Sequence, residues 1–140
     1  MYWTDWGKNP KIEKSELDGT HRKVIVNTSI DWPNGLAIDY KAQRIYWADA
    51  RLDKIEVMKY DGTGRKTIID NDIPHIFGFS IIGDYIYWSD WRKRAVYVVE
   101  KKNSKKRRAI VENLPHLMGL KSVDISMKYG KCNRKHVKKN

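Results

Sequence analysis

Tyr2-Trp3-Thr4-Asp5 returns as Tyr46-Trp47-Ala48-Asp49 and again as Tyr87-Trp88-Ser89-Asp90, at spacings of 44 and 41 residues. Four other features recur in phase. Eight or nine residues into each unit comes a short alternating segment: Lys11-Ile12-Glu13, Lys54-Ile55-Glu56, Ala95-Val96-Tyr97. A turn follows, Asp18-Gly19-Thr20, Asp61-Gly62-Thr63 and, in degenerate form, Asn103-Ser104. Then comes a β-branched run: Val24-Ile25-Val26, Thr67-Ile68-Ile69, Ala109-Ile110-Val111. Each unit closes on a proline and a glycine: Pro33/Gly35, Pro74/Gly78, Pro115/Gly119. Self-similarity at a period of this size marks a chain built from stacked copies of one supersecondary unit.

The unit is β. Gly35-Leu36-Ala37-Ile38-Asp39, Arg44-Ile45-Tyr46-Trp47-Ala48, Lys54-Ile55-Glu56-Val57-Met58 and Arg65-Lys66-Thr67-Ile68-Ile69 are short, rich in β-branched and aromatic residues, and separated by turn residues. Asp-Gly between two such runs suits a hairpin, because the glycine takes positive φ without steric cost. No stretch sustains apolar residues at i, i+3 and i+4, so no helix is expected. Four strands in about 40–45 residues is the pattern of a β-propeller blade. The expected fold class is therefore all-β, three consecutive four-stranded blades over 1–45, 46–86 and 87–126. Three blades form a partial ring with bare apolar seams, so the isolated chain is expected to self-associate. The chain starts at a tetrad without the strand that should precede it, which reads as a piece of a longer protein.

Composition narrows the class. The 140 residues carry a formal charge of +11, but residues 1–91 hold 12 basic and 14 acidic side chains and residues 92–140 hold 16 and 3. The positive charge belongs to the last third. Six Trp and eight Tyr argue against wholesale disorder. No apolar run reaches the roughly 18 residues of a membrane-spanning helix. The start, Met1-Tyr2-Trp3-Thr4-Asp5, has neither the basic lead nor the apolar stretch of a signal peptide. Residues 127–140 are basic and nearly free of apolar side chains, reading as a linker or disordered tail, and Cys132 is the single cysteine.

The tetrads and their flanks resemble the YWTD propellers of the low-density-lipoprotein receptor and its relatives, with Ala48 and Ser89 standing for the usual Thr. Trp32-Pro33-Asn34-Gly35-Leu36, Asp53-Lys54-Ile55-Glu56-Val57-Met58, Ile73-Pro74-His75-Ile76-Phe77-Gly78-Phe79 and Leu114-Pro115-His116-Leu117-Met118-Gly119-Leu120-Lys121 are similar to the Wnt co-receptors, low-density-lipoprotein-receptor-related proteins of types five and six. The nearest likeness is to the second half of their second extracellular propeller. The resemblance implies a six-bladed ring and a non-catalytic extracellular binding module of a single-pass plasma-membrane protein. It also implies partners: secreted Wnt proteins, antagonist peptides with Asn-x-Ile-type loops, and a Frizzled-type co-receptor. Cys132 stands where the first cysteine of a following EGF-like module would fall, although Asn133-Arg134-Lys135-His136 does not continue that module.

Two residue sets divide by role. Tyr2, Trp3, Tyr46, Trp47, Tyr87 and Trp88 are expected to fill wedges between blades, since alternate strand side chains face opposite sides. Asp5, Asp49 and Asp90 are expected to accept backbone hydrogen bonds that fasten strands together. Trp32, Asn34, His75, Trp91 and Met118, joined by Trp6, lie at loop-like positions flanking strands. The resemblance places such positions on one face of the disc, around the channel mouth. Trp and Met supply apolar contact there, and an Asn carboxamide can pair with a partner's amide. The alternative reading makes Trp91 and Met118 caps on the inner core. Asn27-Thr28-Ser29 fits the glycan acceptor rule, with Asn27 as the acceptor.

Other functions find less support. Arg92-Lys93-Arg94, Lys101-Lys102 and Lys105-Lys106-Arg107-Arg108 could track heparan sulfate, or could be a solvated blade edge where lysine discourages sheet pairing. Nucleic acid is not expected as a partner, because no aromatic stacking residues interleave with these charges. No nucleophile elbow, phosphate loop or metal-spaced Cys/His cluster appears, so neither an enzyme, a cofactor nor a metal is expected. Of the histidines at 21, 75, 116 and 136, His75 and His116 share a repeat position. A second receptor reading is endocytic, with the propeller driving ligand release at low pH.

Overall fold

The computed structural model describes residues 1–124, and every regular element among them is a β-strand. Strands β1 (Tyr2–Asp5), β2 (Lys11–Lys14) and β3 (Lys23–Val26) form the first sheet. Strands β4 (Pro33–Asp39), β5 (Arg44–Asp49), β6 (Lys54–Lys59) and β7 (Lys66–Ile69) form the second. The third holds β8 (Ile76–Ile82), β9 (Tyr85–Asp90), β10 (Ala95–Glu100) and β11 (Asn103–Val111). All pairings join chain neighbours antiparallel, the up-and-down order of a propeller blade. The expectations for Cys132, His136 and the 127–140 tail lie outside the described residues.

The sheets are offset by one strand from a division at the tetrads. The second and third tetrads are each the second strand of their sheet, because the strand before them, β4 or β8, pairs with them across a short turn. Cuts at 45/46 and 86/87 therefore fall inside sheets, and the first sheet has three strands, beginning at its tetrad. The proline–glycine pairs open the inner strands. Their glycines are equivalent but their prolines are not: Pro33 lies opposite Asp49, whereas Ile76 lies opposite Asp90 and Pro74 comes two residues earlier.

Period-two alternation explains the packing. The middle sheet is covered on both faces, so β5 and β6 are almost wholly buried. Ile45, Trp47 and Met58 pack with Ile12 and Val26 of the first sheet. Tyr46, Ala48, Ile55 and Val57 pack with Phe79, Ile86 and Trp88 of the third. Adjacent tetrad side chains thus face opposite seams. Trp47 and Trp88 are completely buried, while Trp3 is only half-buried.

The turns differ in kind. Gly19 and Gly62 take φ of +86° and +88°, and the preceding Asp closes the turn by accepting from the Thr amide, Asp18 Oδ1 at 2.9 Å and Asp61 Oδ1 at 2.8 Å. In the third sheet the turn is not at Asn103-Ser104. Those residues already belong to β11, and Lys101-Lys102 make the connection, with Glu100 opposite Asn103. Lys101 ties this connection to the β8–β9 turn: its amide donates to the Asp84 carbonyl at 2.9 Å, as the Tyr60 amide does to the Gln43 carbonyl at 3.2 Å in the second sheet, and its Nζ donates to the Gly83 carbonyl at 2.6 Å. Bulges in β10–β11 absorb the changed length.

Close approach of the inner strands sets the seam. A Cβ on Gly35 would stand 2.3 Å from Phe79 Cβ in the next sheet, near the rigid root of that side chain. Gly35→Ala is therefore expected to push the second and third sheets apart and cost about 2–3 kcal/mol, read as a lowered urea midpoint. An unchanged midpoint would show that the seam is looser than described.

Candidate functional site

One end of the sheets gathers residues from three repeats. The residue after the first and third tetrads is carried beyond the end of its strand, giving Trp6 and Trp91, 63% and 49% exposed, whereas buried Ala50 holds that position after the second. The residue three before each inner-strand glycine is set by a backbone bond: the Ala50 amide donates to the Trp32 carbonyl at 2.8 Å, and the Trp91 amide to the His75 carbonyl at 3.0 Å. Trp32 and His75 are thus equivalent positions in adjacent sheets. The result is a continuous aromatic row. Ring centroids lie 6.3 Å apart for Trp6–Trp32, 6.4 Å for Trp32–His75 and 5.6 Å for His75–Trp91, the first two pairs edge-on.

Beside the row lies a groove of about 460 Å³ lined by Thr4, Trp6, Trp32, Pro33, Asn34, His75 and Phe77. Asn34 Nδ2 donates to the Ile76 carbonyl at 3.2 Å, fixing the carboxamide across the seam while its second N–H and its Oδ1 are not used by that bond. Arg51 lies over the Trp32 ring at 5.3 Å and 3.9 Å from Asp31, adding a cationic rim. Met118 does not join the aromatic row. It is 52% exposed on the far side of the third sheet, its carbonyl accepting from Ser89 Oγ at 2.8 Å. Asn27 is exposed in the loop after β3, whose Thr28 and Ser29 carbonyls are held by Arg65 at 2.8 and 3.0 Å.

The tetrad carboxylates point into backbone. Asp49, fully buried, accepts from four amides: Asp31 at 2.7 Å, Trp32 at 3.1 Å, Arg51 at 3.0 Å and Leu52 at 3.0 Å. Asp49 therefore positions Trp32 directly. Asp90 accepts from the Lys93 amide at 2.9 Å, and its Oδ2 is buried without a partner. The reason is sequence: Asp31 in the second sheet is replaced by Pro74 in the third, and proline has no N–H to give. Asp5 accepts from the Gly7 amide at 2.9 Å and pairs with Lys11 at 3.1 Å.

A second repeated constellation escaped sequence reading. Buried Glu13 takes two bonds from Arg22 (2.8 and 2.7 Å), and buried Glu56 takes two from Arg65 (3.1 and 2.8 Å). Each guanidinium also lies over its tetrad Trp, Arg22 over Trp3 at 5.4 Å and Arg65 over Trp47 at 5.2 Å. The signal was available: Glu13 and Glu56 share a repeat position, and an Arg stands two residues after each Asp-Gly-Thr. In the third unit Tyr97 replaces the Glu and stacks on Trp88 at 5.4 Å.

Part of the basic last third is engaged between sheets. Lys93 pairs with Asp72, Lys101 with Asp39 at 2.5 Å, and Arg107 with the Asn71 carbonyl at 2.6 Å. Burial pushes the Asp39 carboxyl up, but the Lys101 hydrogen bond and charge together with the Ala42 and Lys41 amides outweigh it, and the pKa falls below the ordinary value.

Comparison with known proteins agrees with this architecture. The low-density lipoprotein receptor repeat class B matches residues 1–40 and 43–78. A human low-density lipoprotein receptor-related protein 5-like protein is 45% identical over 85 residues, 61% of this chain and 34% of that one. The vitellogenin receptor Yl of Drosophila melanogaster is 42% identical over 86 residues, 61% of this chain and 4% of the receptor. The chain thus spans about a third of the first relative and a small part of the second. A solved chain from a nidogen/laminin complex superposes with a TM-score of 0.73 at 29% identity, covering 80% of this chain and 43% of that one. Three sheets in propeller order, tetrad carboxylates turned into backbone rather than toward a reaction centre, and these matches agree: the chain is a non-enzymatic propeller piece that belongs to the low-density lipoprotein receptor class B repeat family.

Proposed function

We propose that this chain is part of the extracellular ligand-binding region of a receptor of the Wnt co-receptor kind, and that the row Trp6–Trp32–His75–Trp91 is its contact surface for secreted protein ligands. The observation that carries this reading is the row itself: four aromatic rings from three sheets, partly open to solvent, beside a groove with an anchored carboxamide. Aromatic anchors of this kind bring large contact area at low conformational-entropy cost. Asn34, held by its Nδ2, offers a donor and an acceptor to an amide from an Asn-x-Ile-type loop. Met118 stands apart from this row and is proposed as a contact only for a ligand wide enough to reach past the third sheet.

The test is binding of a synthetic peptide carrying an Asn-x-Ile loop to the immobilised chain. Trp32→Ala with Asn34→Ala is expected to weaken binding about 30-fold, from a loss of about 2 kcal/mol at an interface anchor. Unchanged affinity would remove the assignment. Polyanion binding by residues 92–108 is the weaker reading, since Lys93, Lys101 and Arg107 already bridge sheets. Endocytic release at low pH would need a histidine gripping a separate module, whereas His75 stands between Trp32 and Trp91.

A further inference from the structure

The aromatic row has a charged border on its outer side. Arg51 and Arg92 share one repeat position, two residues beyond the tetrad aspartates Asp49 and Asp90, on the β5–β6 and β9–β10 turns that lead away from the inner strands. Their backbones are fixed. The Arg51 amide donates to Asp49 Oδ1 at 3.0 Å. Arg92 is bracketed by two bonds, the Trp91 amide on the His75 carbonyl at 3.0 Å and the Lys93 amide on Asp90 at 2.9 Å. Both arginines are exposed. The Arg51 guanidinium rests 5.3 Å over the Trp32 ring, which holds it beside the row at little further entropy cost.

The acids that could neutralise these cations are committed to the fold. Residues 1–91 hold 14 acidic and 12 basic side chains, yet at this end Asp49 and Asp90 are buried, Asp5 pairs with Lys11 at 3.1 Å and Asp72 pairs with Lys93. Asp31 and Asp53 are left. Asp31 lies 3.9 Å from Arg51 with both side chains about half exposed, a pair of that length and exposure being worth little. Arg92 forms no ion pair among the described residues. Its charge acts on Asp53, whose carboxyl is nevertheless pushed up, chiefly by desolvation.

We infer that the ligand segment seated on the Trp6–Trp32–His75–Trp91 row is acidic, with carboxylates beside its Asn-x-Ile loop gripped by Arg51 and Arg92. This rests on the contact surface proposed above. A guanidinium and a carboxylate pair through two parallel N–H···O bonds, and opposite charges meeting across an interface steer encounter and set orientation. Charge complementarity thus selects among Asn-x-Ile loops that the aromatic row and the Asn34 carboxamide treat alike.

Three synthetic peptides with the same Asn-x-Ile loop, flanked on both sides by Glu, Gln or Lys, test this on the immobilised 140-residue chain. The Glu peptide should bind about fivefold tighter than the Gln peptide at low salt, and the Lys peptide weaker by about as much. The ranking should narrow as salt rises, because both arginines are exposed, and should vanish in Arg51→Gln with Arg92→Gln. Equal affinities for the three peptides, or a ranking that survives that double variant, would overturn the inference. The two readings fail separately. If the Gln peptide loses affinity in Trp32→Ala with Asn34→Ala but wild type binds all three peptides equally, only the acidic ligand is wrong. If the Gln peptide is indifferent to that variant, the contact surface falls and the inference with it.

Discussion

Asp49→Ala is expected to remove about 4 kcal/mol of folding stability, while Asp90→Ala removes about 1–2 kcal/mol. The residues share one repeat position and the same complete burial, so composition and depth do not separate them. Partners do. Asp49 holds four amides, and two of these, from Asp31 and Trp32, lie at the entry to β4 and set the Trp32 backbone. Removing the carboxylate strands all four donors. Asp90 holds the Lys93 amide alone, and its Oδ2 lacks the bond that Asp31 makes to Asp49, because Pro74 has no proton there. Urea midpoints for the two variants measure the contrast. Domains rarely exceed about 15 kcal/mol of stability, so the Asp49 loss is large enough to approach unfolding. Equal losses at both positions would mean that the four amides find water readily and that the carboxylate does not organise the turn.

Glu56→Ala is expected to cost about 2–3 kcal/mol, because it leaves the half-buried Arg65 guanidinium without its counter-ion. Arg65 binds Glu56 through two nitrogens, covers Trp47, and reaches the Thr28 and Ser29 carbonyls of the loop after the first sheet. Lys54 adds a second cation at 2.9 Å from the carboxylate. Loss of Glu56 therefore loosens both the middle sheet and its seam with the first. The pH dependence has a definite sign. Burial pushes the Glu56 carboxyl up, but the hydrogen bonds and charges of Arg65 and Lys54 together outweigh it, and the pKa falls below the ordinary value of 4.5. A carboxylate with a lowered folded pKa stabilises fully above the unfolded value and loses that contribution as pH falls through the folded one. The stability difference between wild type and Glu56→Gln should accordingly be constant at neutral pH and shrink below about pH 4.5. A difference that persists undiminished into acid would contradict the ion pair's role.

Much of the fold was legible because repetition carries information that single segments lack. Lys54–Met58 alone is an ambiguous apolar run; three copies in phase with Tyr-Trp tetrads make it a strand of a repeating blade. The offset between repeat and sheet was harder to read. The tetrad is the loudest signal, but the strand before it, Gly35–Asp39 or Gly78–Ile82, pairs forward into the tetrad and belongs to the same sheet. The Asn103-Ser104 turn was misplaced because no Asp-Gly marks the two-residue Lys101-Lys102 connection, and the β10–β11 bulges that absorb the changed length leave no mark in composition. At the site, Trp6, Trp32, His75 and Trp91 form one row because their repeat positions converge at one end of the sheets. Met118 falls away because the equivalent of Asn34 in each successive unit moves one blade further round. The Glu–Arg pairs went unseen for a different reason: charged residues in strands read as solvent-facing unless the partner nine residues on is noticed.

Nuclear Overhauser spectroscopy on the folded chain tests the arrangement of blades most directly. If β4 and β8 are neighbouring inner strands, the Gly35 α-protons must give strong cross-peaks to the Phe79 β-protons, with Trp88 and Tyr97 ring protons in contact across their stacked faces. Strong cross-peaks within each sheet accompanied by none between Gly35 and Phe79 would show three correct sheets that do not fan side by side, and both the seam and the aromatic row built upon it would be wrong.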